Sequence, residues 1–205
     1  MMLTYINDPF PHAIIENLYD DNELSLIWKE LDFLTDKDKL LDEKKTGSAF
    51  TPDGEDLKRN YGIWMDSLYS NRKVSNILRF SRKIFDRALC EELCSKHWVF
   101  AYLLHSIRDT TLLSYYEDSH VYQSHIDYSS ITVLTHLFRE PKQFTGGDLV
   151  FGNDYMLPLT NNRAIIFPGI IPHAVTELKM ETDDTFTGYG RYCISQFVQI
   201  TKDTW

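Results

Sequence analysis

The sequence lacks the features that would direct the protein to a membrane or to a nucleic acid. No stretch reaches the roughly 18 apolar residues that a membrane-spanning helix needs. The opening MMLTYINDPF has no basic region followed by an apolar run, so no secretory signal is indicated. Acidic residues outnumber basic ones, 30 against 21, and the net charge is −9. Because nucleic-acid binders usually carry a basic surface, we expect neither a membrane nor a nucleic-acid partner.

Cysteine is also scarce. The three cysteines, Cys90, Cys94 and Cys193, are an odd number without the spacing of a zinc ribbon. Cys90 and Cys94 are four residues apart on a predicted helix, where two thiolates alone would not complete a metal site, so we expect them on a packed helix face. Reduced thiols of this kind are typical of an intracellular protein, and we expect a cytoplasmic location.

Hydrophobic periodicity divides the 205-residue chain into a helical N-terminal part, 1–97, and a β-rich core, 98–205, within one domain. A short strand is expected around 13–15. The spacing of apolar residues predicts a helix over 24–34, capped by Asp20 or Asp21, and a second, amphipathic helix running from about 71 to 95.

The second part of the chain reads as strands separated by Gly, Pro, Asn and Asp. Besides a short strand at 61–65, the predicted strands are 98–107, 111–116, 120–127, 130–138, 147–151, 154–158, 163–167, 172–177 and 190–200. About eight strands after a helical segment predict an α+β protein with two packed sheets. The expected fold is a jelly roll, or double-stranded β-helix, with the N-terminal helices packed on one sheet.

Residues 36–60 interrupt the periodic pattern. The segment is highly charged, contains Gly47, Pro52 and Gly54, and shows no sustained period. A loop of this length is unusual inside a compact domain and is often functional. Two interpretations stay open: a solvated surface excursion, or a lid over an active site.

The candidate site starts from His125 and Asp127, two residues apart in the predicted strand 120–127. Side chains alternate along a strand, so both would point to the same face. Together with His173 from a distant strand they would form a 2-His-1-carboxylate facial triad, which leaves positions open on one side of an iron(II) ion. One His-x-acid triplet is expected by chance in a chain with 7 His and 30 acidic residues, so the surrounding sequence has to support it.

An ordered set of motifs accompanies this triad. Its members are Tyr115 and Tyr122, ten and three residues before His125; His125 and Asp127; Gly146-Gly147-Asp148-Leu149; Ala164-Ile165-Ile166-Phe167-Pro168 leading to Pro172-His173; and Gly190-Arg191-Tyr192-Cys193-Ile194. The set covers about the C-terminal half of the chain. It resembles the iron(II)- and 2-oxoglutarate-dependent dioxygenases, and within them the prolyl-4-hydroxylase-like branch.

The resemblance implies a metal-dependent hydroxylase. His125, Asp127 and His173 would bind Fe(II), with 2-oxoglutarate and O2 as co-substrates and ascorbate in a supporting role. Oxidative decarboxylation to succinate and CO2 would be coupled to hydroxylation of a C–H bond, for which the protein supplies placement and shielding. The expected substrate is a prolyl residue of a protein or peptide. The alternatives are a free amino acid or other small molecule and, in a different class, a jelly-roll metal-binding module without turnover.

Arg191 is the candidate for the far carboxylate of 2-oxoglutarate, because its planar fork suits bidentate binding. In the family the basic residue often follows the distal histidine by about ten positions, whereas here it follows His173 by 18. Lys179, six residues after His173, is therefore a rival.

Four further residues complete the predicted site. Tyr115 resembles the family tyrosine that hydrogen-bonds the co-substrate carboxylate, and His136 falls where this branch often has a second tyrosine near the co-substrate. Thr132 is expected to line the same pocket. Tyr122, three residues before His125, is expected to line the pocket of the primary substrate.

Overall fold

The structure is a computed structural model that describes residues 1–36, 39–51, 53–152, 154–182 and 184–200. Its strands are β1 Met2–Ile6, β2 His12–Glu16, β3 Leu41–Asp42, β4 Lys58–Arg59, β5 Tyr61–Trp64, β6 Arg108–Tyr116, β7 Val121–His125, β8 Ile131–Leu137, β9 Phe144–Thr145, β10 Leu149–Phe151, β11 Tyr155–Leu157, β12 Arg163–Phe167, β13 His173–Val175, β14 Lys179–Met180 and β15 Arg191–Gln199. Its α-helices are α1 Asp21–Leu34, α2 Glu43–Thr46, α3 Met65–Leu68, α4 Asn76–Phe80, α5 Arg87–Lys96 and α6 Ala101–Leu104. Short 3-10 helices cover Arg72–Val74, Ser81–Phe85 and Trp98–Phe100.

Two antiparallel sheets form the body of the protein. The larger has the order β1-β2-β12-β8-β15-β6-β5-β3, and the smaller has the order β11-β10-β13-β7-β4. A short pair, β14 and β9, lies apart from both. The central four strands of the larger sheet and the first four of the smaller supply the eight core strands, so the predicted jelly roll is confirmed.

Side-chain alternation on β15 separates two hydrophobic cores. Cys193 belongs to the cluster that joins the inner faces of the two sheets and includes Leu149 and Val175 of the smaller sheet. Tyr192 and Ile194 face the other way, into a cluster with the helices. The period of 2 along the strand thus places the helices against one sheet only, as predicted, and leaves the inner face for the candidate site.

The first predicted helix is confirmed. The Asp20 side chain accepts hydrogen bonds from the backbone N–H groups of Asn22 and Glu23, and the Glu23 carboxylate accepts one from the backbone N–H of Asp20. This reciprocal capping box starts α1 at Asp21.

The second predicted helix is wrong as a continuous element. The segment is divided into two 3-10 turns and the helices α4 and α5. Two side chains make the breaks, because Ser75 caps the backbone N–H of Leu78 and Asp86 caps that of Leu89. Each cap begins a new helix although the apolar spacing continues across it.

The predicted strand 98–107 is also wrong, since a 3-10 turn and α6 occupy most of it. A short apolar run does not distinguish a strand from a buried helix by its period. Here the His97 ring nitrogen Nδ1 accepts a hydrogen bond from the backbone N–H of Val99, 3.2 Å away, and this cap favours the helical turn.

The segment 36–60, predicted without regular structure, contains β3, α2 and β4 in its described part; residues 37, 38 and 52 lie outside the description. Strand β3 pairs with β5 of the larger sheet and β4 pairs with β7 of the smaller sheet. The segment therefore crosses from one sheet to the other. Strands β1 to β5 all lie within 1–97, so this part of the chain does more than provide helical support.

The structure also bears on the predictions about the cysteines and about membrane-spanning helices. The cysteines are all free thiols, with Cys90 and Cys193 buried. Across the described ranges, no helix combines the length and the apolar character needed to cross a membrane. The cytoplasmic location stays a prediction.

Candidate metal centre

The two histidines and the carboxylate predicted as ligands come together between the sheets. His125 ends β7 and His173 begins β13, where they are paired in register. The Asp127 carboxylate reaches both rings: Oδ1 is 3.8 Å from His125 Nε2, and Oδ2 is 3.5 Å from His173 Nε2. All three donor atoms lie within 4.8 Å of one another, a spacing suited to a single metal ion.

Backbone carbonyls hold both imidazoles from behind. His125 Nδ1 donates to the carbonyl of Gln123 at 2.8 Å, and His173 Nδ1 donates to that of Ile171 at 2.9 Å. Because a carbonyl only accepts, the proton belongs on Nδ1 and the lone pair of Nε2 faces Asp127. Burial, with the nearby His173 as a smaller cause, lowers the pKa of His125 to about 3. The ring is therefore neutral near pH 7, the form that binds metals.

The Asp127 carboxylate is oriented by a hydroxyl pair. Thr132 Oγ1 donates to Asp127 Oδ2 at 2.6 Å and is itself 2.8 Å from Ser129 Oγ. Burial raises the pKa of Asp127, while His173 and the Thr132 hydrogen bond act in the opposite direction. Asp127 follows the end of β7, and its carboxylate reaches Thr132 of β8. Contact of Thr132 with the co-substrate stays a prediction.

A cavity of about 350 Å³ opens in front of the triad, and Arg191 lines it. Arg191 is fully buried. Its Nη2 donates to His136 Nε2 at 3.0 Å, and its guanidinium lies 4.9 Å from the centre of the Tyr116 ring. Among the described residues, Arg191 Nε and Nη1 have no hydrogen-bond partner, and no carboxylate pairs with this side chain.

The two Arg191 nitrogens without a hydrogen-bond partner indicate whether the cavity suits an anionic co-substrate. A buried, unpaired cation is costly unless an anion completes it. The unpaired N–H groups on Nε and Nη1 of this buried guanidinium call for an acceptor, and a carboxylate is the strongest one for arginine. The donor set of the triad suits Fe(II), and the Arg191 fork suits the far carboxylate of 2-oxoglutarate, so both groups fit the site.

His136 lies beside Arg191, because the register of β8 and β15 pairs it with Cys193 on the inner face. Burial, followed by the charge of Arg191, holds the pKa of His136 well below its ordinary value. The neutral ring accepts the hydrogen bond from Arg191 Nη2 through its Nε2. Contact of His136 with the co-substrate stays a prediction.

Gly147 makes room for the arginine. It has φ of +77°, and a Cβ at this position would lie 2.5 Å from Leu178 Cδ1 and 3.0 Å from Arg191 Cδ. The Gly-Gly motif thus has a physical reason: a left-handed backbone beside a large buried side chain.

Lys179 does not compete with Arg191. It lies on β14, is exposed, and does not line the cavity. The step of 18 positions from His173 to Arg191 passes through β13 of the smaller sheet and through β14, which pairs with β9 apart from both sheets.

Tyr115 does not face the cavity as predicted, whereas the neighbouring Tyr116 does. Tyr115 faces the helices: its ring lies 4.6 Å from that of Tyr192, and its hydroxyl accepts from the backbone N–H groups of Gly188 and Gly190. Tyr116 pairs in register with Arg191 and lines the cavity. Counting back from His125 gave the wrong residue, because the loop between β6 and β7 hides which face each tyrosine occupies.

Tyr122 lies at the candidate metal centre. Its ring is stacked on that of His125, with centroids 3.5 Å apart and an interplanar angle of 13°. Its hydroxyl accepts a hydrogen bond from the backbone N–H of Ala49 at 3.2 Å. Burial is the largest cause that raises its pKa to about 12. Tyr122 thus joins the triad to the segment 46–49, and its contact with a substrate stays a prediction.

Sequence reasoning did not identify Lys58 as a site residue. It lines the cavity with only 3% of its surface exposed. Its partner on β7 is Tyr122. The only sequence signal was a lysine next to a short strand in a charged segment, which is not specific.

Comparison with known proteins establishes the fold. No family model and no curated protein matches the chain. Three solved structures are similar: a Pseudomonas putida prolyl-4-hydroxylase (TM-score 0.61, 12% identity, 93% of both chains), a 2OG-Fe(II) oxygenase family oxidoreductase from Burkholderia pseudomallei (0.56, 11%, 93% of this chain and 86% of that one) and OsALKBH1 (0.54, 15%, 91% and 97%). The protein has the double-stranded β-helix fold of the 2-oxoglutarate- and Fe(II)-dependent oxygenases, as the resemblance predicted.

Proposed function

We propose that the protein is an Fe(II)- and 2-oxoglutarate-dependent hydroxylase. The observation that carries this proposal is a triad of two imidazoles and a carboxylate in the same cavity as a fully buried arginine with two unpaired donors. A metal-binding module without turnover would have no need of that arginine. When bound, Fe(II) and 2-oxoglutarate supply the O2-dependent decarboxylation to succinate and CO2 that is coupled to C–H hydroxylation.

The chain's own residues bind, orient and shield. His125, Asp127 and His173 would hold Fe(II), with both Nδ1 protons fixed on backbone carbonyls. Arg191 would hold the far carboxylate of 2-oxoglutarate through its unpaired N–H groups, while Nη2 also donates to neutral His136. Arg191, Cys193 and Ser195 on the inner face of β15 line this part of the cavity. A supporting role of ascorbate stays a prediction.

The first substrate class that we propose is a prolyl residue in a peptide. The fold shared with a prolyl-4-hydroxylase over 93% of both chains supports it, as does the wall that residues 46–49 form beside the cavity. The second is a free amino acid or another small molecule, which the buried Lys58 beside that wall favours. Closure of this wall over a substrate stays a prediction.

The test is anaerobic loading with Fe(II) and 2-oxoglutarate, followed by air. We expect a weak visible metal-to-ligand absorption band before air and succinate after it. Arg191→Met should raise the half-saturating 2-oxoglutarate concentration by about 100-fold, because truncating a buried charge partner costs roughly 2–5 kcal/mol. Arg87→Met, an exposed arginine paired with Glu91 on α5, is the control and should change nothing. Turnover that survives His125→Ala combined with Asp127→Ala would contradict the site.

A further inference from the structure

Lys58 is a buried cation that the proposed mechanism does not use. Its Nζ donates to Thr46 Oγ1 at 3.1 Å and to the carbonyl of Gly47. An ammonium group has three donors, and the third has no acceptor in the described parts of the chain. No carboxylate there lies within ion-pair distance of Nζ either. Glu43 and Asp56 act on it only from farther away.

The lysine faces the metal centre from the sheet opposite Arg191. Strand β4 belongs to the smaller sheet and β15 to the larger, so two cations enter one cavity from opposite sides. The Lys58 Nζ lies 5.8 Å from the centre of the Tyr122 ring, which is stacked on His125. Burial lowers the pKa of Lys58 to about 8, so the side chain is still mostly charged near pH 7.

Because burying this charge is energetically costly, we expect an anion to bind beside Lys58 in the cavity. An unpaired ammonium that is almost fully buried is unfavourable, and two neutral acceptors compensate it only in part. The far carboxylate of 2-oxoglutarate is already assigned to Arg191 on the opposite sheet. The remaining anion would belong to the molecule that is oxidised. The cavity must hold 2-oxoglutarate as well, so the room left suits a small acidic group.

We infer that Lys58 binds a carboxylate of the primary substrate, an inference that rests on the proposed function. The carboxylate has two possible sources: the α-carboxylate of a free amino acid, or an acidic side chain beside the oxidised residue of a peptide. In either case Lys58 selects among substrates, and a neutral analogue of the same shape binds less well. A purely structural role, holding Thr46 and Gly47 in place, would not discriminate between an acid and its amide.

The experiment compares acids with their amides. One arm uses free amino acids and their carboxamides, with L-proline and L-prolinamide as the first pair. The other uses N-acetylated Glu-Pro and Gln-Pro dipeptide amides. Oxidation is followed by mass shift, and binding to Mn(II)- and 2-oxoglutarate-loaded protein is followed by titration calorimetry, which needs no turnover. Succinate formation by the wild type without added substrate tests the proposed function separately.

In the wild type we expect one acid to be preferred over its amide by about tenfold or more, because a hydrogen bond to a charged group is involved. Lys58→Met should abolish the preference, because the acid then has a higher KM and binds more weakly. Lys58→Arg should retain most of the preference. The exposed Lys96→Met is the matched control. Thermal unfolding of each variant verifies the fold. The arm that shows the preference identifies the source of the carboxylate.

Two results would overturn the inference. One is a wild type that shows no preference for an acid in either arm, by oxidation or by binding. The other is a Lys58→Met variant that folds and keeps the wild-type preference. A variant whose binding of acid and amide falls equally would also overturn it, because that is the result expected for a purely structural residue. A wild type that binds acids selectively but forms no succinate would contradict the proposed function and leave the Lys58 site standing.

Discussion

At the residue scale, the metal centre depends on contacts behind its ligands. Asp127 has a carboxylate held by Thr132 and a backbone N–H that donates to the carbonyl of Gly169 at 2.9 Å. A Cβ on Gly169 would lie 2.4 Å from the carbonyl oxygen of Ser129, so only glycine permits this approach. Removing a group that orients a metal ligand typically lowers the metal affinity by about 10- to 100-fold.

Thr132→Val should weaken metal binding while preserving the fold. The substitution keeps the shape of the side chain and removes the 2.6 Å hydrogen bond to Asp127 Oδ2. We expect the affinity for Mn(II), measured by titration calorimetry, to fall about 10- to 100-fold. Thr160→Val is the control, because its hydroxyl makes only a 3.4 Å contact with the carbonyl of Pro158. An unchanged Mn(II) affinity in folded Thr132→Val would show that the hydroxyl does not orient the carboxylate.

At the element scale, the pairing of β6, β8 and β15 decides which side chains meet. The register places Tyr116 opposite Arg191, and His136 opposite Cys193, all on the inner face. The turn before β10 adds Gly147 from the other sheet, in contact distance of Arg191. The arginine is thus positioned by three strands and one turn rather than by its own strand alone.

Gly147→Ala should disturb both stability and co-substrate binding. The new Cβ would be strained by φ of +77° and would clash with Leu178 and Arg191. We expect a loss of about 1–3 kcal/mol in the free energy of unfolding, measured with denaturant, and weaker binding of 2-oxoglutarate. Gly54→Ala separates the two causes, because Gly54 has φ of +87° and nothing within 4 Å of the added Cβ. Equal losses in both variants would mean that backbone strain, not the contact with Arg191, explains the effect.

At the scale of the whole molecule, the N-terminal half and the C-terminal half share both sheets. Strand β2 pairs with β12, β5 pairs with β6, and β4 pairs with β7. The helices cover the outer face of the larger sheet, where Leu113 and Ile194 are fully buried. These pairings support the prediction that 1–205 is a single domain.

The fragment 98–205 should therefore not fold on its own. Without 1–97 it loses the strands next to β12, β6 and β7 and exposes the outer face of the larger sheet to water. We expect no cooperative thermal transition by circular dichroism and no calorimetric Mn(II) binding, whereas the full chain shows both. A fragment that unfolds cooperatively and binds Mn(II) would instead indicate an independent jelly-roll domain.

The sequence by itself predicted the first helix, most strands of the two sheets and the three residues of the candidate metal centre. The cap predicted at Asp20 or Asp21 marks the start of α1, and β-type patterns predicted the later strands except the two-residue strands β9 and β14. The ordered motifs pointed to His125, Asp127 and His173, although His125 and Asp127 do not share one strand, because β7 ends at His125. Each of these signals lies within a few residues of the feature it predicts.

The tertiary structure decided everything that depends on pairing between distant segments. Tyr116 rather than Tyr115 faces the cavity because the β6–β15 register, not the count back from His125, sets the face. Lys179 is excluded because β14 lies outside the two main sheets, and Lys58 enters because β4 pairs with β7. A loop of any length can shift the face of the next strand by one residue, so only the assembled sheets show which side chains meet.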